Sequence, residues 1–198
     1  TWGITAVSKR DLRMGWEGEC DTARVLNKFA REHPGVKVFH SVRWPGSKGD
    51  TDHILLYGNR MLVIDSKRWK AKRKYTITPG GTVMRGTVRF PEGNVMITVA
   101  MSAWRKVMPK GTIVHGVICI SQSEVFVQYD RNWSKAAFKL VTLAELPNFL
   151  DRALFGKPEE RKASAMRVPP PDPHVAYQIL LRLIRPKKKS PTDINFNA

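Results

Sequence analysis

Two apolar, β-prone runs, residues 51–57 and 60–67, flank Gly58 and Asn59. Two-residue turns of this composition favour hairpins, so the runs are expected to pair antiparallel. With Tyr57 opposite Arg60, Asp52 falls opposite Asp65 and Asp50 opposite Lys67. Side chains alternate along a strand, which puts Met61, Val63, Asp65 and Lys67 on one face and Leu62, Ile64 and Ser66 on the other. Upstream, residues 11–33 read as a helix that stops before Pro34, because proline disfavours the helical conformation of its predecessor. Glu19, Ala23, Leu26 and Ala30 recur at helical spacing and share a face that Val25 and Phe29 widen. Glu17 points elsewhere and is expected in solvent.

Residues 36–42 read as a strand leading through a loop at 44–49 to the acidic hairpin. Residues 74–78 and 82–90, around Pro79-Gly80-Gly81, suggest a second hairpin, followed by a helix capped near Asn94 and running to Val107. Further strands are expected at 113–121 and 125–129. Thr142 and Glu145 have the spacing of a capping box before a helix ending near Phe155, with Pro147 near its first turn. After Gly156 the composition turns charged and then proline-rich, as in an extended linker. This divides the chain into a domain at 1–155, a linker at 156–173, and a short amphipathic helix with a basic tail at 174–198. On that helix Val175, Ile179 and Arg182 share a track, with Tyr177, Leu180, Leu181 and Ile184 nearby. Docking on the core or on a partner is its expected role. Anchoring at a membrane surface is the weaker alternative, since the helix is short.

The charges interrupt the apolar pattern where burial is expected. Carboxylates directly opposite each other on paired strands repel unless something neutralises them, and a divalent cation would do so. Hard cations such as Mg²⁺ take oxygen ligands and bind through one or two carboxylates plus phosphates and water. Lys67, at the end of the same stripe as Asp65, has the character to hold water or stabilise charge on a phosphate. Glu19 breaks an otherwise buried stripe and is a candidate third acid; a rim position beside a lysine is the alternative.

Gly18-Glu19, Gly49-Asp50-Thr51-Asp52-His53 and Val63-Ile64-Asp65-Ser66-Lys67-Arg68-Trp69 together resemble the NERD (nuclease-related) domain of the PD-(D/E)xK nuclease superfamily. The resemblance, carried more weakly through residues 139–146, spans about 10–154. It implies an α/β fold with a central mixed β-sheet flanked by helices, a restriction-endonuclease-like core. It also implies a Mg²⁺-dependent endonuclease, with Mn²⁺ a possible substitute, acting on nucleic acid, DNA before RNA. The site would comprise Glu19, Asp52, Asp65 and Lys67, with the Ser66 carbonyl as a further metal ligand. Two departures stand out. Relatives often carry Glu where this chain has Asp65, and a glutamine on the following helix, where residues 95–107 have none and Ser102 or Arg105 could stand in. A catalytically inactive nucleic-acid-binding module on the same fold is the alternative function.

A length of 198 residues with 42% hydrophobic content suits one domain with a substantial core. The net charge of +17 favours a polyanionic partner. Arg68, Lys70, Lys72, Arg73 and Lys74 follow the site directly and are expected to contact phosphates. Trp69 or Tyr75 could stack on an unpaired base, although inward packing is favoured for Trp69. Cys20 and Cys119 are the two cysteines, both expected to be buried thiols. They form neither a disulfide framework nor a zinc site, and a reducing, intracellular, cytoplasmic setting is expected. His53 is expected on the sheet face opposite Asp52, as a supporting residue, and His115 as an ordinary strand residue. No apolar run is long enough to span a membrane. The chain begins at Thr1, which leaves room for a preceding targeting or anchoring segment.

Overall fold

The computed structural model describes residues 9–46, 49–90, 93, 95–156 and 172–184. The expectations for the Asn94 cap, most of the linker and the basic tail lie outside these residues. In chain order the elements are α1 (Lys9–Glu32), β1 (Lys37–Arg43), β2 (Asp50–Tyr57), β3 (Arg60–Lys67), β4 (Lys74–Ile77), β5 (Val83–Arg85) and β6 (Val88–Arg89). Then come α2 (Val95–Val107), β7 (Ile113–Ile120), β8 (Phe126–Val127), α3 (Arg131–Lys135), β9 (Phe138–Thr142), α4 (Leu146–Phe155) and α5 (Pro173–Leu183). The hairpin around Gly58-Asn59 forms as expected, and Tyr57 pairs with Arg60.

A five-stranded sheet in the order β1-β2-β3-β7-β9 forms the centre. The first three strands pair antiparallel, whereas β3, β7 and β9 run parallel, so the sheet is mixed. Parallel neighbours need crossovers on the sheet faces, and both faces are covered. On one side, α2 packs Ile97, Ala100, Met101 and Trp104 against Met61, Val63 and Ile118. On the other, α1 and α4 pack Leu26, Phe29 and Leu150 against Leu55, Leu62 and Ile64. The alternation along β3 thus sorts its side chains into two cores. Leu26, Leu55, Leu62 and Ile64 are fully buried, each stabilising the fold by roughly 1.5–3 kcal/mol. Gly116 lets α2 lie this close to β7, because a Cβ there would run into Met101 and Ile97.

A second sheet, β6-β5-β4-β8, was expected only as a hairpin. β8 joins it by pairing parallel with β4. Its buried residues Tyr75, Ile77 and Val83 enter the same core as α2. Two local expectations are corrected. The helix α4 starts at Leu146 with Glu145 before it, and the Thr142 hydroxyl accepts from the Glu145 amide at 3.3 Å without the reciprocal cap. The pattern of Thr142 and Glu145 therefore shapes the turn leading into the helix, with Pro147 in the first turn as expected. On α5 the buried residues are Ala176 and Leu180, while Val175 and Leu181 are exposed. Small Ala176 lets the helix settle on β1, where the rings of Tyr177 and Phe39 lie 5.6 Å apart, and Ile184 then bridges Val42. Among the described residues, no helix is long and apolar enough to cross a membrane.

Candidate active site

The ladder between β2 and β3 runs from Tyr57 and Arg60 to His53 and Ile64 and then opens. Asp52 is therefore not the ladder partner of Asp65, nor Asp50 of Lys67, as strict pairing implied. Beyond the opening, the Ser66 amide donates to the Asp52 carboxylate at 2.8 Å, so a side chain fills the gap a backbone carbonyl would have occupied. Alternation breaks at the same point. His53 faces the α1 side through Ser66 Oγ, whereas the Thr51 hydroxyl accepts from the indoles of Trp44 and Trp104 on the α2 side. On β1 opposite, Ser41 has φ of 52°, a left-handed conformation that is uncommon outside glycine and concentrates at functional sites.

The opening brings Asp52, Asp65, Lys67 and Glu19 to one cleft of about 240 Å³, with Trp44, Val63, Ile97 and Ala100 among its walls. Lys67 Nζ donates to Asp65 Oδ1 at 2.8 Å. Glu19 arrives from α1, which comes close because Gly18 has no side chain: a Cβ there would sit 2.8 Å from Ser121 Oγ. Glu19 is partly exposed at the edge of the cleft, near enough to Lys67 to act on its charge. This position, at the rim and beside the lysine, is the alternative expected for Glu19. Among the described residues no three His, Cys, Asp or Glu side chains stand close enough to enclose a metal unaided.

The site is electrostatically negative. Burial pushes the Asp65 carboxyl up to about 7; the Asp52 charge adds to this, and Lys67 offsets it only in part. For Lys67, burial pulls the amine down, but Asp65, Asp52 and Glu19 outweigh it and the net shift is upward. Both groups hold protons more tightly than usual, Asp65 chiefly because it is buried and Lys67 because the neighbouring carboxylates outweigh its burial. That donor set, two adjoining carboxylates with a third acid at the rim, fits a hard divalent cation completed by water or phosphate oxygens.

A hydrogen-bonded row supports the site from the α1 side. His40 Nε2 lies 3.1 Å from Asn27 Oδ1, His40 Nδ1 lies 2.7 Å from His53 Nδ1, and His53 Nε2 lies 3.0 Å from Ser66 Oγ. Burial lowers the His40 pKa and so disfavours the charged ring. Because Asn27 Oδ1 only accepts, a row of two neutral rings would donate one way: His40 to Asn27, His53 to His40, and Ser66 to His53. Ser66 is thereby held at its hydroxyl by His53 and at its amide by Asp52. The supporting role expected of His53 matches this placement. The neighbouring Cys119 thiol is pushed up to about 12 by burial and is no nucleophile at neutral pH. Cys20, expected buried, is partly exposed.

Other expected residues lie elsewhere. Arg68 is committed to Glu17 at 2.7 Å and Gln122 at 3.1 Å, so neither Arg68 nor Glu17 is given over to solvent. Lys70, Lys72, Arg73 and Lys74 are exposed, with Lys72 3.9 Å from Glu124. Trp69 packs inward, its ring 4.8 Å from Tyr75 and 4.9 Å from Phe90, and Tyr75 is fully buried, which removes both as stacking surfaces. On α2, Arg105 donates to the Val114 carbonyl and Ser102 is exposed; the helix offers Met96, Ile97 and Ala100 to the cleft instead. Neither stands in for a glutamine. Thr51, Trp44 and Trp104 were missed as supports, because their contact depends on the opened strand.

No curated protein and no solved structure matches the chain. The family model described as the nuclease-related domain, NERD, matches residues 14–121. The match takes in most of α1, the acidic hairpin, the second hairpin, α2 and β7, and stops short of β9 and α4, where a weaker likeness had been expected. With more than half of its residues matched, the chain belongs to the nuclease-related domain family of the PD-(D/E)xK-like nuclease superfamily.

Proposed function

We propose that the chain is a divalent-metal-dependent endonuclease that hydrolyses phosphodiester bonds in DNA. The observation that carries this reading is the meeting of Asp52, Asp65 and Lys67 in one cleft where β2 and β3 part. Asp52 and Asp65, with Glu19 and the Ser66 carbonyl, would hold Mg²⁺ or Mn²⁺. Such an ion supplies Lewis acidity toward a phosphoryl oxygen and makes bound water more acidic.

The chain's own residues account for the rest. The Ser66 amide fixes the Asp52 carboxylate, and Asp65 fixes Lys67. Because its pKa is raised, Lys67 stays charged at neutral pH, which suits it to stabilise negative charge on a phosphate rather than to take up a proton. The indole and aliphatic walls lower the local polarity and so strengthen these interactions. Lys70, Lys72, Arg73 and Lys74 supply phosphate contacts outside the cleft. The cysteine pattern supports an intracellular setting.

The apolar surface that α2 turns to the cleft favours a second reading, an inactive nucleic-acid-binding module on this fold. Cleavage assays on single-stranded and duplex DNA and RNA, with Mg²⁺ and with EDTA, separate the two. EDTA-sensitive cleavage that is lost in Asp65→Ala and Lys67→Ala supports the enzyme. Binding without cleavage under every metal supports the module.

A further inference from the structure

The small sheet has one buried face and one open face. Lys74 of β4 pairs with Phe126 of β8, Thr76 of β4 with Met84 of β5, and Met84 with Arg89 of β6. Laterally paired residues project to the same side of a sheet, as do residues two apart on one strand, so Phe126 and Lys74 on one rung and Thr76, Met84 and Arg89 on the next share one face. On the opposite face Tyr75, Ile77, Val83 and Val127 pack into the core.

The open face has unusual chemistry for one turned to solvent. Phe126 is 64% exposed, a large aromatic ring on a strand with no need to be there for packing. It stands beside Lys74 and across the sheet from Arg89, both exposed. No acidic residue occurs in any of the four strands. Glu124, the near acid among the described residues, is drawn toward Lys72 at 3.9 Å. Lys70, Lys72 and Arg73 extend the positive charge along the segment joining this sheet to Lys67.

Position links this face to the cleft. In the chain, β4, β5 and β6 lie between β3, which carries Asp65 and Lys67, and α2, which supplies Met96, Ile97 and Ala100 to the cleft wall. The buried face of the small sheet belongs to the same core as the cleft residues Trp44, Val63 and Ile97.

We propose that the open face of β6-β5-β4-β8 is a platform for unpaired nucleic acid, on which Phe126 stacks against a base while Lys74 holds the adjacent phosphate and Arg89, on the far edge of the sheet, holds one further along the strand. Every base offers a π-face, so such a platform takes single strands without reading sequence. Bases inside a duplex are already stacked and leave Phe126 nothing to contact, which makes the platform selective for strands or for unpaired stretches of a duplex. The inference deepens the nuclease reading by naming the form of its substrate, and it depends on that reading only for the kind of polymer.

Fluorescence anisotropy in EDTA, where cleavage plays no part, tests it with a short labelled DNA strand of mixed sequence and its duplex. The wild type is expected to prefer the strand. Phe126→Ala should weaken strand binding about tenfold and leave duplex binding unchanged, Phe126→Leu should behave as Phe126→Ala, and Phe126→Trp should restore the wild-type value. Lys74→Ala with Arg89→Ala should weaken strand binding and lower its salt dependence by about one unit of slope. Should Phe126→Ala fail to fold, Phe126→Leu decides, since it keeps bulk and removes only the ring. The platform is overturned if Phe126→Ala and Phe126→Leu bind the strand like wild type, or if they weaken strand and duplex equally. Wild-type binding to anionic phosphatidylserine vesicles but to neither oligonucleotide also overturns it, in favour of a membrane surface. If wild type cleaves DNA while these variants bind normally, the platform fails alone; if wild type neither binds nor cleaves, the nuclease reading fails with it.

Discussion

The two ends of the β2–β3 hairpin share strands but obey different rules. At the turn end, Tyr57 and Arg60 pair, Leu55 sits opposite Leu62, and both leucines are fully buried. At the other end the ladder opens, Asp52 fills the gap, and two carboxylates and an amine are confined in a cleft. The turn end satisfies its backbone and buries apolar area. The open end leaves a negative surplus that the folded chain alone does not neutralise. Apolar burial is concentrated at one end and ionisable groups at the other.

Substitutions at the two ends should therefore separate activity from stability. The largest effect is expected from Lys67→Ala and Asp65→Ala, each lowering cleavage at least about 100-fold. The melting temperature should hold or rise in Asp65→Ala, which relieves the surplus of carboxylates, and fall in Lys67→Ala, which removes the cation beside them. At the turn end, Leu55→Ala should lower stability by about 2–5 kcal/mol in denaturant titration, with cleavage per folded molecule unchanged at low temperature. Equal losses of both properties at both ends would erase the distinction.

A pH titration sharpens the same contrast. Asp65 has a folded pKa of about 7 against an ordinary 3.8. Below the ordinary value both states are protonated. Between that value and about 7 the folded state keeps a proton the unfolded state gives up, so stability is lost as pH rises through this window. Metal-free wild type should be less stable at about pH 8 than at about pH 5, and Asp65→Asn should remove on the order of 1–3 kcal/mol of that difference. A pH profile identical in wild type and Asp65→Asn would place the carboxyl in ordinary solvent.

Smaller effects are expected farther from the opening. His53→Ala removes the support behind Ser66 and should weaken Mn²⁺ binding by about tenfold. Arg68→Ala breaks a partly exposed pair with Glu17 and should cost no more than about 1 kcal/mol, with metal binding unchanged.

The sequence exposes the turn end more fully than the open end. The Gly-Asn turn, the pairing of Tyr57 with Arg60, the two faces of β3 and the approach of a helix bearing Glu19 all follow from local spacing. The break at Asp52 does not, because it depends on where β2 leaves β3 and on the left-handed turn at Ser41 in a third strand. Arg68 looked free because its partner Glu17 lies 51 residues away on α1. Phe126 carried no signal, since only the parallel pairing of β8 with β4 sets it beside Lys74. The face of α5 was ambiguous because apolar residues occur nearly all around that helix, and contact with β1 selected Ala176 and Leu180. Local pattern decides elements and faces; long-range pairing decides where the pattern is allowed to fail.

The central claim is that Asp52 and Asp65 meet at a divalent-cation site where the two strands part. Isothermal titration of Mn²⁺ into wild type, Asp52→Asn and Asp65→Asn tests it most directly. The account predicts saturable uptake by wild type that either substitution abolishes or weakens by more than tenfold. Equal uptake by all three proteins, or none by wild type, would contradict it.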